Sequence, residues 1–161
     1  MPIQKLCTVA EAVRLNEFAC SLTLEAEGME PQGPDQFVHV KCGHSRLLRR
    51  PISICNWTGD GALMLLVKVV GEGTRELVRC VPGTELDVLS GLGNGFDLSK
   101  TGAHPVLAGG GIGIAPLYGL ARRMLDTGVT PTVALGFRTA KDAFYLEAVS
   151  YTHLRAHETS Q

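Results

Sequence analysis

The chain has 161 residues and a mass of 17.2 kDa, with 45% hydrophobic and 19% charged residues, a composition that builds a packed core and excludes a disordered or collagen-like chain. Its 15 basic against 16 acidic residues leave no electrostatic footprint for nucleic acid or an anionic membrane. The longest apolar run, residues 62–70, contains Lys68 and is far shorter than the ~20 residues of a bilayer span. The N-terminus has no apolar signal region, which predicts a cytoplasmic protein. Glycine is the outlier, 19 of 161 residues, against a usual share of about 7%.

In chain order, residues 3–15 and 17–26 read as strands, the second carrying Phe18, Cys20, Leu22 and Leu24 in alternation with polar neighbours, followed by a Gly/Pro/Asp loop over residues 28–35. Residues 36–42, 51–56, 62–69 and 85–89 continue the period of two, separated by turns such as Thr58-Gly59-Asp60-Gly61. Short strands at this spacing predict a small antiparallel β-barrel or sandwich. Residues 74–81 are the exception, with Leu77, Val78 and Val81 on one helical face. The character changes near residue 99. Beyond it, residues 105–108 form a short buried strand, 109–113 a tight loop, 115–126 an amphipathic helix and 131–137 a second strand, a β-α-β unit suited to a parallel sheet. The expected architecture is β + α/β: an antiparallel barrel over residues 1–98, then an incomplete Rossmann-like α/β domain over 99–148, since a doubly wound domain normally has about five or six strands. Residues 149–161 resemble a translated sequencing adapter and are expected to be a non-native tail. His153 and His157 within it have no third metal ligand beside them.

Cys7, Cys20, Cys42, Cys55 and Cys80 are odd in number and widely spaced, with no C-x-x-C pair. They read as core residues rather than a disulfide framework or a metal site. His39, His44 and His104 are scattered and read as barrel-surface or loop residues.

Three motifs carry chemistry. Arg50-Pro51-Ile52-Ser53 opens a strand with an arginine fork that matches phosphate bidentately, a proline that fixes backbone direction and a serine hydroxyl for a ligand edge. Gly71-Glu72-Gly73-Thr74 closes a strand and opens the short helix, a seat suited to a pyrophosphate. Gly109-Gly110-Gly111-Ile112-Gly113-Ile114-Ala115-Pro116 links an apolar strand to an amphipathic helix. Its proline suits a first helical turn and distinguishes it from the Rossmann G-x-G-x-x-G.

In this order, with Gly93-Asn94-Gly95-Phe96 between the last two, these motifs resemble the ferredoxin-NADP reductase superfamily. Within it, Arg49 to Ile54, Gly93 to Ser99, and Gly136-Phe137-Arg138 before Phe144-Tyr145 are most similar to the electron-transfer subunits of type B dihydroorotate dehydrogenase, over roughly residues 4–147. The resemblance implies that Arg50, Pro51, Ile52 and Ser53 contact FAD, with Ser53 near the isoalloxazine and Arg50 toward the phosphates. It implies that Leu66, Val67 and Lys68 form the second flavin-contacting strand and that Gly73 and Thr74 seat the pyrophosphate. Gly111, Gly113 and Pro116 match the NAD(H) loop, and Arg138, at the end of a strand, is expected either to contact the nucleotide's ribose or phosphate or to be a solvated arginine. Asp35 departs from the family's P-G-Q-F turn. The family also has a C-terminal segment whose four cysteines bind a [2Fe-2S] cluster, and those cysteines are absent here. The implied activity is electron transfer from dihydroorotate oxidation to NAD+, with a dihydroorotate dehydrogenase catalytic subunit as partner in a heterotetramer. Two alternatives stand beside it: another reductase component of the superfamily, and a non-catalytic flavin-binding fragment.

Overall fold

The computed structural model describes residues 1–31, 33–34, 36–42 and 48–144. Asp35, His44 and the expected tail over 149–161 lie outside the described residues.

Six strands close into an antiparallel barrel: β1 (Ile3–Arg14), β2 (Ala19–Glu25), β3 (Phe37–Lys41), β4 (Arg49–Trp57), β5 (Ala62–Lys68) and β6 (Glu85–Leu92), in the order β1-β2-β5-β4-β3-β6. Alternation explains the closure. Leu22, Leu24, Val38, Val40, Ile52, Ile54, Leu63, Leu65, Val67, Leu86 and Val88 turn inward into one core, while their neighbours face out. Pro51 sits opposite His39 of β3, before the β4–β5 pairing begins at Ile54. Its missing N–H therefore breaks no ladder. Phe18 departs from the expected alternation. It precedes β2 and is 48% exposed, whereas Cys20, Leu22 and Leu24 are buried.

The short helix α1 (Glu72–Leu77) begins two residues before the expected start. Gly71, in extended conformation, caps it, and the Thr74 hydroxyl accepts the N–H groups of Val70 (2.9 Å) and Gly71 (3.2 Å). Of the predicted apolar face only Leu77 is fully buried. Val81 lies beyond the helix and is 62% exposed.

After a 3-10 turn at Leu98–Lys100, β7 (Val106–Gly110) leads through a second 3-10 turn, Gly111–Gly113, into α2 (Ile114–Asp126), and β8 (Thr132–Gly136) pairs with β7 in parallel. Gly109 and Gly110, expected in a loop, are thus the last residues of a strand. A second core gathers Leu107, Ile114, Ala115, Leu120, Ala121, Met124, Val133 and Leu135. Ala19, Cys55 and Leu66, from the outer face of the barrel, join it, so α2 packs on β4. The approach is close enough that a β-carbon on Gly119 would fall 2.7 Å from the Cys55 carbonyl oxygen, which is why a helix residue of poor propensity stands there. No helix among the described residues is long and apolar enough to cross a membrane.

Candidate functional site

The two arginines that open β4 have different surroundings. Arg49 is held within the barrel: its Nη2 lies 2.6 Å from the Asp87 carboxylate, and its Nη1 donates to the Asp87 carbonyl oxygen (2.9 Å). This ties β4 to β6. Arg50 has no carboxylate partner among the described residues, and its Nη1 makes only a long bond to the Arg49 carbonyl (3.4 Å). Its side chain lies over Gly73, so that a β-carbon on Gly73 would fall 2.8 Å from Arg50 Nε. The first two motifs are therefore brought together at a half-buried arginine, a side chain whose fork can match a phosphate.

The Thr74 hydroxyl is engaged within the turn itself. The residue is 5% exposed, and besides accepting two N–H groups its hydroxyl donates to the Gly71 carbonyl (3.1 Å). These bonds shape the turn in which Gly73 stands.

Ser53 and the exposed Pro51 share a groove of about 610 Å³ with Phe37, Asn94 and Phe96. Phe37 packs beneath Gly93, and Gln36, buried, donates from Nε2 to the Gly93 carbonyl (2.8 Å), fixing this loop. Ile52 faces the barrel core and Val67 is fully buried in it, while Leu66 is buried beneath the α/β unit. Leu66 and Val67 can reach a ligand only through their backbone.

A second cleft, about 570 Å³, lies between the barrel and the carboxyl ends of β7 and β8. Lys68, Gly110, Gly111, Gly136, Phe137 and Arg138 line it, so Lys68 and the glycine loop meet there. Gly111 adopts a left-handed φ of 52° with nothing within 4 Å of the position a β-carbon would take. Gly113 caps α2 and Pro116 lies in its first turn. Phe137 and Phe144 stack edge to face at 5.5 Å. Asn16 and Phe18 of the β1–β2 hairpin also line this cleft. No sequence motif marks them, and only the closure of the barrel brings the hairpin to the α/β unit.

The glycine excess has more than one cause. Gly111 faces open space, but Gly95, at φ 70°, would put a β-carbon 2.5 Å from the Pro34 carbonyl oxygen. Part of the excess therefore serves the chain's own packing rather than a ligand.

Cys7, Cys20, Cys42 and Cys55 are buried, as core residues should be. Burial pushes the Cys20 thiol up to about 11, with the nearby Cys80 adding to the shift, and burial also raises Cys7 and Cys80. Among the described residues no group of three or more His, Cys, Asp or Glu is placed to hold a metal.

No protein-family model matches the chain. It is 38% identical over 147 residues to the dihydroorotate dehydrogenase B (NAD(+)) electron transfer subunit of Listeria monocytogenes serotype 4a (strain HCC23), covering 89% of this chain and 58% of that protein. It is 40% identical over 162 residues to the subunit of the same name from Bacillus caldolyticus, covering 95% of this chain and 63% of that one. Among solved structures, the NADH-dependent reduced ferredoxin-NADP oxidoreductase superposes with a TM-score of 0.86 at 26% identity, covering 97% of this chain and 57% of that chain. Phthalate dioxygenase reductase superposes at 0.78 and 20% identity, covering 96% and 51%. The chain thus carries the ferredoxin reductase-like fold, is homologous to the dihydroorotate dehydrogenase B electron transfer subunits, and spans about three fifths of the length of those curated relatives.

Proposed function

We propose that this chain is the flavin- and nicotinamide-binding part of a dihydroorotate dehydrogenase B electron transfer subunit, which passes electrons from dihydroorotate oxidation to NAD+ in the cytoplasm. The single observation that carries the reading is Arg50: a half-buried guanidinium with no carboxylate partner among the described residues, laid over Gly73 where the second motif begins. In this reading residues 1–98 hold FAD, through Arg50, the Ser53 groove and the backbone of residues 66–68. Residues 99–148 hold NAD(H), through Gly111, Gly113, the first turn of α2 and Arg138.

Bound flavin supplies hydride acceptance and one-electron release. The chain's own residues bind, orient and exclude water. Arg50 neutralises phosphate, the Ser53 hydroxyl offers one hydrogen bond to a ring edge, and Lys68 with Arg138 adds positive charge to the second cleft. The one-electron partner is a [2Fe-2S] cluster of the full-length protein rather than a cluster on these five cysteines, four of which are buried. The physiological partner is the catalytic subunit that oxidises dihydroorotate, in a heterotetramer.

The test is spectroscopic. The purified chain is expected to bind FAD and show a flavin spectrum that NADH bleaches without oxygen. With a dihydroorotate dehydrogenase catalytic chain added to the full-length protein, NADH oxidation should become orotate-dependent. Bleaching without orotate dependence would instead support another reductase component of the same fold.

A further inference from the structure

The β1–β2 hairpin is built as a bracket for one aromatic ring. Arg14 donates from Nε to the Asn16 carbonyl (3.1 Å) and from Nη2 to the Glu17 carbonyl (2.6 Å). Asn16 Oδ1 accepts the N–H of Phe18 (2.9 Å), and the Phe18 carbonyl accepts the N–H of Val69 at the end of β5 (2.8 Å). The backbone is pinned on both sides of Phe18, and the residue, 48% exposed, lines the cleft that holds Lys68, Gly111, Phe137 and Arg138. These bonds fix the turn backbone on both sides of the ring and so fix where the ring stands along the cleft. The cleft lies outside the carboxyl ends of parallel strands, the place where open α/β sheets receive nucleotides, and among the described residues Lys68 and Arg138 outnumber its one carboxylate, Asp142, which accepts from the Thr139 hydroxyl (3.0 Å).

We propose that Phe18 is a stacking wall for a heteroaromatic ring of the pyridine dinucleotide, contributed by the barrel and facing the α/β unit across the cleft. The inference rests on the nicotinamide-binding part of the proposed function. An aromatic face stacks any flat base with little geometric demand, and its removal typically weakens binding about tenfold or more.

The test uses this chain loaded with FAD and titrated calorimetrically with NAD+, which leaves oxidised flavin unchanged. Phe18→Ala is expected to weaken NAD+ binding about tenfold with FAD content unaltered, and Phe18→Trp to restore it. Phe18→Leu keeps the apolar bulk without a π face and is expected to weaken binding like alanine, which preserves the test if the alanine variant folds poorly. Parental NAD+ affinity in the alanine or leucine variant would overturn the proposal. Loss of FAD together with NAD+ would also overturn it, by assigning the ring to the flavin. A parent chain that binds FAD but not NAD+ overturns it while leaving the flavin reading standing. A parent that binds neither fails the proposed function itself, a result visible before any variant is made.

Discussion

The Arg50 side chain lies across the open face of Gly73, with Nε 2.8 Å and Cγ 3.3 Å from the point where a β-carbon would stand. This packing joins the strand motif to the helix motif, and it is testable from both sides. Gly73→Ala must displace the arginine rather than the helix, because the clash is with its side chain. FAD affinity is expected to fall about tenfold or more with little change in melting temperature. Arg50→Ala removes a charge-assisted phosphate contact and is expected to weaken FAD by about 1.5–3 kcal/mol. The double variant should bind no more weakly than Arg50→Ala alone. Fluorescence titration with FAD measures all three.

The adjacent arginine predicts the opposite pattern. Arg49 and Asp87 are 22% and 23% exposed and 2.6 Å apart, and Asp87 Oδ1 is buried without a hydrogen-bond partner. Arg49→Ala leaves that carboxylate with Gln4 Nε2 (3.2 Å) as its remaining side-chain donor and is expected to lower stability by about 1–3 kcal/mol in urea unfolding, with FAD affinity unchanged.

Gly119→Ala is expected to be more damaging than a helix propensity scale suggests, since alanine normally favours a helix. Its methyl would meet the Cys55 carbonyl oxygen at 2.7 Å, a backbone atom that cannot rotate away. Forced overpacking of this kind costs about 1–3 kcal/mol. Thermal unfolding should show a lowered midpoint.

The buried thiols set an alkaline limit. Cys20 is pushed from an ordinary value near 9 up to about 11, chiefly by burial. Between those two pH values the folded chain holds a proton that the unfolded chain has released, so stability is complete below about pH 9 and declines as pH rises toward 11. Cys20→Ala is expected to reduce this decline in urea midpoints measured across that window. Reaction of Cys20 with a thiol reagent at pH 8 should be slow until the chain unfolds.

Much of the fold was legible because each barrel strand alternates. Leu22 and Leu24, or Val38 and Val40, announce an inward face whatever their partners are. The start of α1 was obscured because one glycine caps it and another stands in its first turn, and the device that stabilises the turn is the Thr74 hydroxyl acting from inside the helix. Gly109 and Gly110 looked like loop because local sequence does not reveal that they pair with Leu135 and Gly136. By its spacing from Cys20, Phe18 reads as a core residue, but the hairpin bends one residue before the ladder begins. The candidate site divides in the same way. Arg50, Gly111 and Phe96 belong to motifs, whereas Asn16 and Phe18 reach their cleft only through tertiary closure.

The seating of Gly119 on Cys55 has a further consequence. Cys55 is two residues beyond Ser53 on the strand whose serine faces one groove, and α2 is the helix opened by the glycine loop of the other cleft. The bare backbone of one glycine against one strand carbonyl therefore acts as the spacer between the two proposed cofactor stations. Hydride transfer demands that the reacting atoms of donor and acceptor come within about 3–3.5 Å. A bulkier residue at 119 would widen that seam and slow flavin reduction even where both cofactors still bind.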